Sequence, residues 1–175
     1  MARIPPNSVA LAGEFAALSQ LTLRGYDVGM TLGHTKNIDI LVYDPSTRER
    51  YQVEVKTNLE ARNGPSKSKL FGRFVTDWQM HEKHEGIEDP KLFYCFVHMN
   101  ASRKDSSDYA FRFFIVPSKV VAKYVREQHQ LWLRDNSAHR DSPRRLFRIG
   151  LPNDREIAIS TPLAEKYENN WRFKV

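Results

Sequence analysis

A single cysteine, Cys95, stands in 175 residues, so no disulfide within the chain can staple the fold. That fits a reducing compartment. Cys95 itself lies inside the apolar run Leu92-Phe-Tyr-Cys-Phe-Val97 and reads as core filler rather than as a nucleophile. No apolar stretch approaches the ~20 residues of a membrane span, and the first residues, Met-Ala-Arg-Ile-Pro-Pro-Asn, carry no apolar signal segment. The expectation is a cytoplasmic protein with no membrane partner. Gly-x-x-x-x-Gly-Lys phosphate loops and Gly-x-Ser-x-Gly elbows do not occur, and nothing supports Cys/His zinc chemistry or a Ser-His-Asp triad. Repeats, low-complexity tracts and linkers are lacking too, so residues 1–175 read as a single domain. Acidic excess is also missing: Lys and Arg number 27 against 21 Asp and Glu, a net charge of +6. A basic balance of this size favours a polyanionic partner such as nucleic acid.

What is present centres on residues 37–57. Asn-Ile-Asp-Ile-Leu-Val-Tyr and Tyr-Gln-Val-Glu-Val-Lys-Thr flank Asp-Pro-Ser-Thr-Arg-Glu-Arg, two apolar β-branched runs around a set of turn residues. This is the pattern of a strand-turn-strand unit. If residues 45–48 form the loop, paired residues have numbers summing to 93, which sets Asp39 opposite Glu54. Side chains directly opposite share a face, and the period of two puts Lys56 on that face as well. Ile38, Ile40, Val42, Val53 and Val55 then point the other way, into a core. A slip of one residue would separate Asp39 from Glu54. Buried charge costs several kcal/mol unless paired or bound to metal, so two carboxylates and an ammonium on otherwise greasy strands mark a site.

Ahead of the hairpin, Asn7 or Ser8 as N-cap and Gly25 as stop bracket a helix over residues 9–24. Glu14 falls within its Leu11, Leu18, Leu21 stripe, so this carboxylate faces the fold and is a third member of the acidic cluster. A first strand is expected over 26–32, and a polar loop over 58–69. His34, Lys36, Lys67, Lys69, Arg73 and Gln79 are candidate nucleic-acid contacts, with ordinary solvated residues as the alternative. Residues 71–84 read as a helix with Phe74, Trp78 and His81 on one face. Its tail, His81-Glu-Lys-His-Glu85, lacks the second histidine that a zinc-protease helix needs and reads as a solvated helix end. Residues 91–99 and 110–116 are apolar throughout, as in central strands covered on both faces. A second long helix over 119–134 follows, then an irregular basic stretch in which Arg140, Arg144, Arg145 and Arg148 either contact a nucleic-acid backbone or form a solvated charge run. Short strands near 146–149 and 156–160 and a closing helix over 162–169 end the chain, with Trp171 and Phe173 packing back.

Clustered carboxylates are hard oxygen ligands suited to Mg²⁺ or Mn²⁺. Such an ion lowers the pKa of its water and polarises a phosphoryl oxygen, and a neighbouring lysine stabilises developing charge. That is the chemistry of phosphodiester hydrolysis.

Asp39, fourteen residues, then Glu54-Val55-Lys56 resembles the PD-(D/E)XK nuclease superfamily, which includes restriction endonucleases and archaeal Holliday-junction resolvases. Gly13-Glu14 looks like the additional acidic residue of many members. The resemblance covers residues 8–97 and implies a restriction-endonuclease-like central mixed β-sheet flanked by helices, an α-β-β-β-α-β core over about 8–116, with an additional C-terminal helix and strands over 117–175. It implies a DNA endonuclease, with RNA not set apart by the motif. Asp39, Glu54 and the Val55 backbone carbonyl would bind Mg²⁺, Glu14 a second metal or a metal-held water, and Lys56 would position the nucleophile. Gln79 matches a position where some members carry a polar site residue. The chain departs from the pattern at Ile38, which replaces the usual proline, and at Lys83, where a RecB-like branch has tyrosine. Cutting both strands would favour a twofold homodimer. Two other readings stand beside this one: a catalytically silent nuclease-like binding module, and a purely structural ion network. Under the network reading Asp39→Ala should cost about 3–5 kcal/mol of stability.

Overall fold

A computed structural model of the chain describes residues 4–31, 38–60, 64–101, 108–152 and 159–174. The first element, helix α1 (Pro6–Thr22), begins one turn earlier than the Asn7 or Ser8 cap would give, because Pro6 fixes a helical φ where no amide donor is needed. Gly25, at φ +83°, ends it as expected. Strand β1 (Asp27–Met30) follows, then β2 (Ile40–Asp44) and β3 (Glu49–Glu60).

The central hairpin has the expected register, Asp44 against Glu49 through Ile40 against Val53. Its turn is fixed by the Asp44 carboxylate, which accepts from the Ser46 amide at 2.9 Å and its hydroxyl at 2.6 Å. Strand β3 runs on to Glu60, through part of what polarity alone suggests is loop. The short β4 (Ser66–Ser68) then pairs with β5 (Gly72–His81).

The helix expected over 71–84 is absent: β5 and a single 3₁₀ turn, Glu82–Gly86, stand in its place. Trp78 and Met80 are buried while Gln79 and His81 are exposed, a period of two. The β-branched pair Val75-Thr76 favours the same extended backbone.

Strand β6 (Leu92–Ala101) returns parallel to β3 and pairs antiparallel with β7 (Tyr109–Pro117), completing a mixed sheet of order β1-β2-β3-β6-β7. Helix α2 (Ser118–Asp135), β8 (Arg144–Gly150) and the short α3 (Ala164–Tyr167) close the described chain. Strand β8 joins β4 and β5 in a second, antiparallel sheet. The strand expected near 156–160 falls largely outside the described residues.

Two cores sandwich the main sheet. On one face Ala17 and Leu21 of α1 pack on Ile40, Val42, Val53, Val55, Phe93, Cys95 and Ile115, with Trp171 and Phe173 closing over them. On the other, Tyr94, Phe96 and Phe114 meet Trp78 and Phe147 of the second sheet and Val121 and Val125 of α2. Alternate residues of β6 thus feed opposite cores, which explains its unbroken apolar run. Cys95 is buried, with its thiol pushed up by burial. The leucine stripe of α1 holds in part: Leu21 is buried and Leu18 packs against the core, while Leu11 is exposed and Gly13 and Ala17 complete the buried face. Arg145 and Arg148 are buried rather than solvated, Arg145 against Glu85 and Arg148 donating to Gln128 at 2.9 Å.

Candidate active site

The second core stops at β3. Beyond it β1 and β2 leave one face of the main sheet uncovered among the described residues, and the charged patch sits at that boundary. Asp39 lies just before β2, its amide donating to the Val53 carbonyl at 2.9 Å, so that Asp39 and Ile40 both face Val53 and the ladder is offset by one residue at this end. Its Oδ2 accepts from the Val55 amide at 2.6 Å. Because a strand residue sends its N–H and C=O to the same side, the Val55 carbonyl points into this gap too.

Glu54 is the deepest member, 4 % exposed. Its Oε1 receives the Lys56 ammonium at 2.5 Å and lies 3.4 Å from His84 Nε2, while Oε2 is buried with no hydrogen-bond partner. Burial acts to raise its pKa, but His84 and Lys56 outweigh it and hold the carboxyl at about 2. Asp39 is raised, by burial first, with the Val55 amide and Lys56 pulling it back. Glu14 is raised as well, by burial and then by the Asp39 charge. The carboxylates therefore feel one another, and Lys56 acts on all three.

Glu14 owes its place to its neighbour. A Cβ on Gly13 would stand 1.8 Å from Thr57 Oγ1, so only glycine lets α1 lie this close to β3. All four candidates, Glu14, Asp39, Glu54 and Lys56, are thus brought together.

Two further members were not legible in the sequence. His84 is 3 % exposed. Its Nδ1 lies 2.9 Å from the His81 amide and 2.8 Å from the His81 carbonyl, and its Nε2 faces Glu54 Oε1 at 3.4 Å. The solvated helix end expected at 81–85 is corrected here: the 3₁₀ turn aims this ring inward. Tyr94, opposite Glu54 on β6, packs edge-on to His84, and its pKa is raised by burial and then by the charge and hydrogen bonding of Glu54. The alternation of β6 could have pointed to Tyr94, but no local signal points to His84.

Replacing His84 with phenylalanine keeps the ring and removes the donor. The Glu54 carboxyl is expected to titrate higher in a ¹³C NMR titration, and stability to fall by about 1–3 kcal/mol. A Glu54 titration unchanged from the wild type would contradict the assignment. The linkage sign follows: a depressed carboxyl stabilises the fold above its ordinary pKa and loses that contribution as pH falls through about 2.

Lys67, Lys69, Arg73 and Gln79 are carried by β4, β5 and the turn between them, Lys67 paired with Arg73 and Gln79 with Leu146. The acidic cluster forms without them, and Gln79 lies on a strand, not a helix. His34 and Lys36 lie outside the described residues.

The carboxylates offer hard oxygen donors, and the Glu54 Oε2, buried without a hydrogen-bond partner, is an acceptor that a hard cation would satisfy. Among the described residues no three acidic, cysteine or histidine side chains close a metal cage by themselves. Mg²⁺ keeps several waters and binds through one or two carboxylates, so an open half-site fits it. Asp39, Glu54, the Val55 carbonyl and Glu14 are the groups that would hold it.

Fold and site together define a mixed α/β protein with a carboxylate–lysine cluster at the open end of its central hairpin. No family model and no curated protein matches the chain in sequence. Among solved structures it is similar to the bacterial homing endonuclease I-Ssp6803I, at 12 % identity and a TM-score of 0.46, over 97 % of this chain and 90 % of that one. That likeness lies in the path of the chain. Among the described residues no helix is long and apolar enough to cross a membrane.

Proposed function

We propose that the protein is a Mg²⁺- or Mn²⁺-dependent phosphodiester hydrolase of the PD-(D/E)XK type, a nuclease acting on DNA. The observation that carries this reading is the Asp39 carboxylate on the Val55 amide and within reach of the Glu54 charge, with Lys56 on Glu54 Oε1 and a buried, unpartnered Oε2. The net charge of +6 supports a polyanionic substrate.

The protein's own groups divide the work. His84 and Lys56 keep Glu54 ionised, and the Val55 amide holds Asp39 in register. The Lys56 ammonium, only partly exposed, stands where it can orient an attacking water and meet the negative charge that grows on the phosphoryl oxygens. A divalent cation held by the carboxylates would polarise the phosphoryl oxygen and acidify its water.

The open cage is the observation that favours the binding-only reading, and calorimetry with Mn²⁺ on nucleic-acid-free protein decides between the two. Binding lost in Asp39→Asn is expected. It should weaken as pH falls through a range above that of ordinary carboxylates, because raised carboxyls such as Asp39 and Glu14 take up protons there that compete with the metal. No Mn²⁺ binding by the wild type would leave the binding module.

A further inference from the structure

The uncovered half of the main sheet continues from the acidic cluster as a floor. The hairpin register places Leu41 with Gln52, and Tyr43 with Arg50, on the face that carries Glu54. Strand β1 adds Gly29 beside Leu41 and Asp27 beside Tyr43. These residues line a depression of about 760 Å³. Leu41 is 50 % exposed, and a Cβ on Gly29 would meet nothing within 4 Å, so the centre of the floor is apolar and bare among the described residues. At ~3.3 Å per strand residue, the Leu41–Gln52 and Tyr43–Arg50 pairs lie ~7 and ~13 Å along the hairpin from Glu54.

Building on the hydrolase reading above, we propose that this floor binds unpaired nucleotides of the strand being cut, next to the scissile phosphate, so that the preferred substrate is single-stranded or carries an unpaired flap or branch. The shape argues for this occupant. The major groove of a duplex, ~12 Å wide, is entered by an element that protrudes; a depression cannot enter it but can receive bases that have left the stack. The chemistry agrees. A flat aliphatic and aromatic floor takes base faces whatever their identity. Gln52 and Arg50, at its edge, offer amide and guanidinium donors to base edges or phosphate. Asp27, on the outermost strand, disfavours phosphate there and leaves the Arg50 side for the backbone.

The test is fluorescence anisotropy in EDTA with three probes: a labelled oligothymidylate, a blunt hairpin duplex, and the same duplex with an unpaired flap. The single strand and the flap should bind at least about tenfold more tightly than the blunt duplex, since each stacked base adds on the order of tenfold. Tyr43→Ala and Leu41→Glu should each erase about tenfold of that preference, with thermal midpoints unchanged. Equal or tighter binding of the blunt duplex, wild-type affinity in both variants, or no binding of any probe would overturn the proposal. The hydrolase reading is judged separately, by plasmid nicking with and without Mg²⁺. Nicking without strand preference removes only the floor. Tyr43-dependent binding without nicking keeps the floor and removes the hydrolase.

Discussion

Lys56→Ala is expected to lower the cleavage rate by roughly 10²–10³-fold, the loss seen when one donor to a developing oxyanion is removed. Two effects combine. The ammonium that would face the phosphoryl oxygens disappears, and Glu54, which it holds at 2.5 Å, keeps only His84 on that oxygen. The lysine side chain is 28 % exposed, so solvent screens part of the pair, and stability should fall by no more than about 1 kcal/mol. Lys56→Arg should not rescue, because a planar fork cannot replace a compact ammonium at this distance. Single-turnover cleavage with enzyme in excess, set beside a urea melt, reads both quantities. A folded Lys56→Ala that cuts at the wild-type rate would remove Lys56 from the chemistry.

Gly13→Ala is expected to destabilise the protein by about 1–3 kcal/mol, the cost of overpacking a filled contact. On an exposed helix the same change would stabilise by up to about 1 kcal/mol, so the sign itself is diagnostic. The added carbon would meet Thr57 Oγ1 at 1.8 Å and both Thr57 Cβ and Cγ2 at 2.9 Å. Shortening the threonine relieves the first contact and not the Cβ contact, so Gly13→Ala with Thr57→Ala should recover part of the loss. Since α1 must move off β3, Glu14 moves with it, and Mn²⁺ affinity should fall as well. Stabilisation by Gly13→Ala would show that α1 does not approach β3 this closely.

How much of this was legible in the sequence depended on where the information was local. The hairpin was readable because its turn residues and apolar alternation together fix one register, Asp44 against Glu49 through Ile40 against Val53. The one-residue offset at Asp39, where its amide turns to the Val53 carbonyl, left no mark in the sequence. The doubly covered β6 announced itself in the same way. Residues 72–81 misled because Phe74 and Trp78 sit four apart, a helical spacing, while Trp78 and Met80 carry the true period of two. The α1 face was legible at Leu18 and Leu21 and missed at Gly13 and Ala17, which contribute closeness rather than hydrophobicity, while Leu11 faces solvent. His84, Arg145 and Arg148 were out of reach for a different reason. Each is buried only because a distant group receives it: Glu54, Glu85 and Gln128. A polar residue reveals its inward direction only when its partner is in place.

The most direct measurement is nicking of supercoiled plasmid by the wild type in Mg²⁺ and in EDTA, with Asp39→Asn alongside and both proteins shown to be folded. Asp39 carries a raised pKa, so its charge disfavours the metal-free fold. Asparagine should therefore leave that fold as stable or more so, while abolishing cutting. Nicking that requires Mg²⁺ and vanishes in Asp39→Asn is the predicted result. Cutting that persists in EDTA or in a folded Asp39→Asn would contradict it, as would a wild type that never cuts.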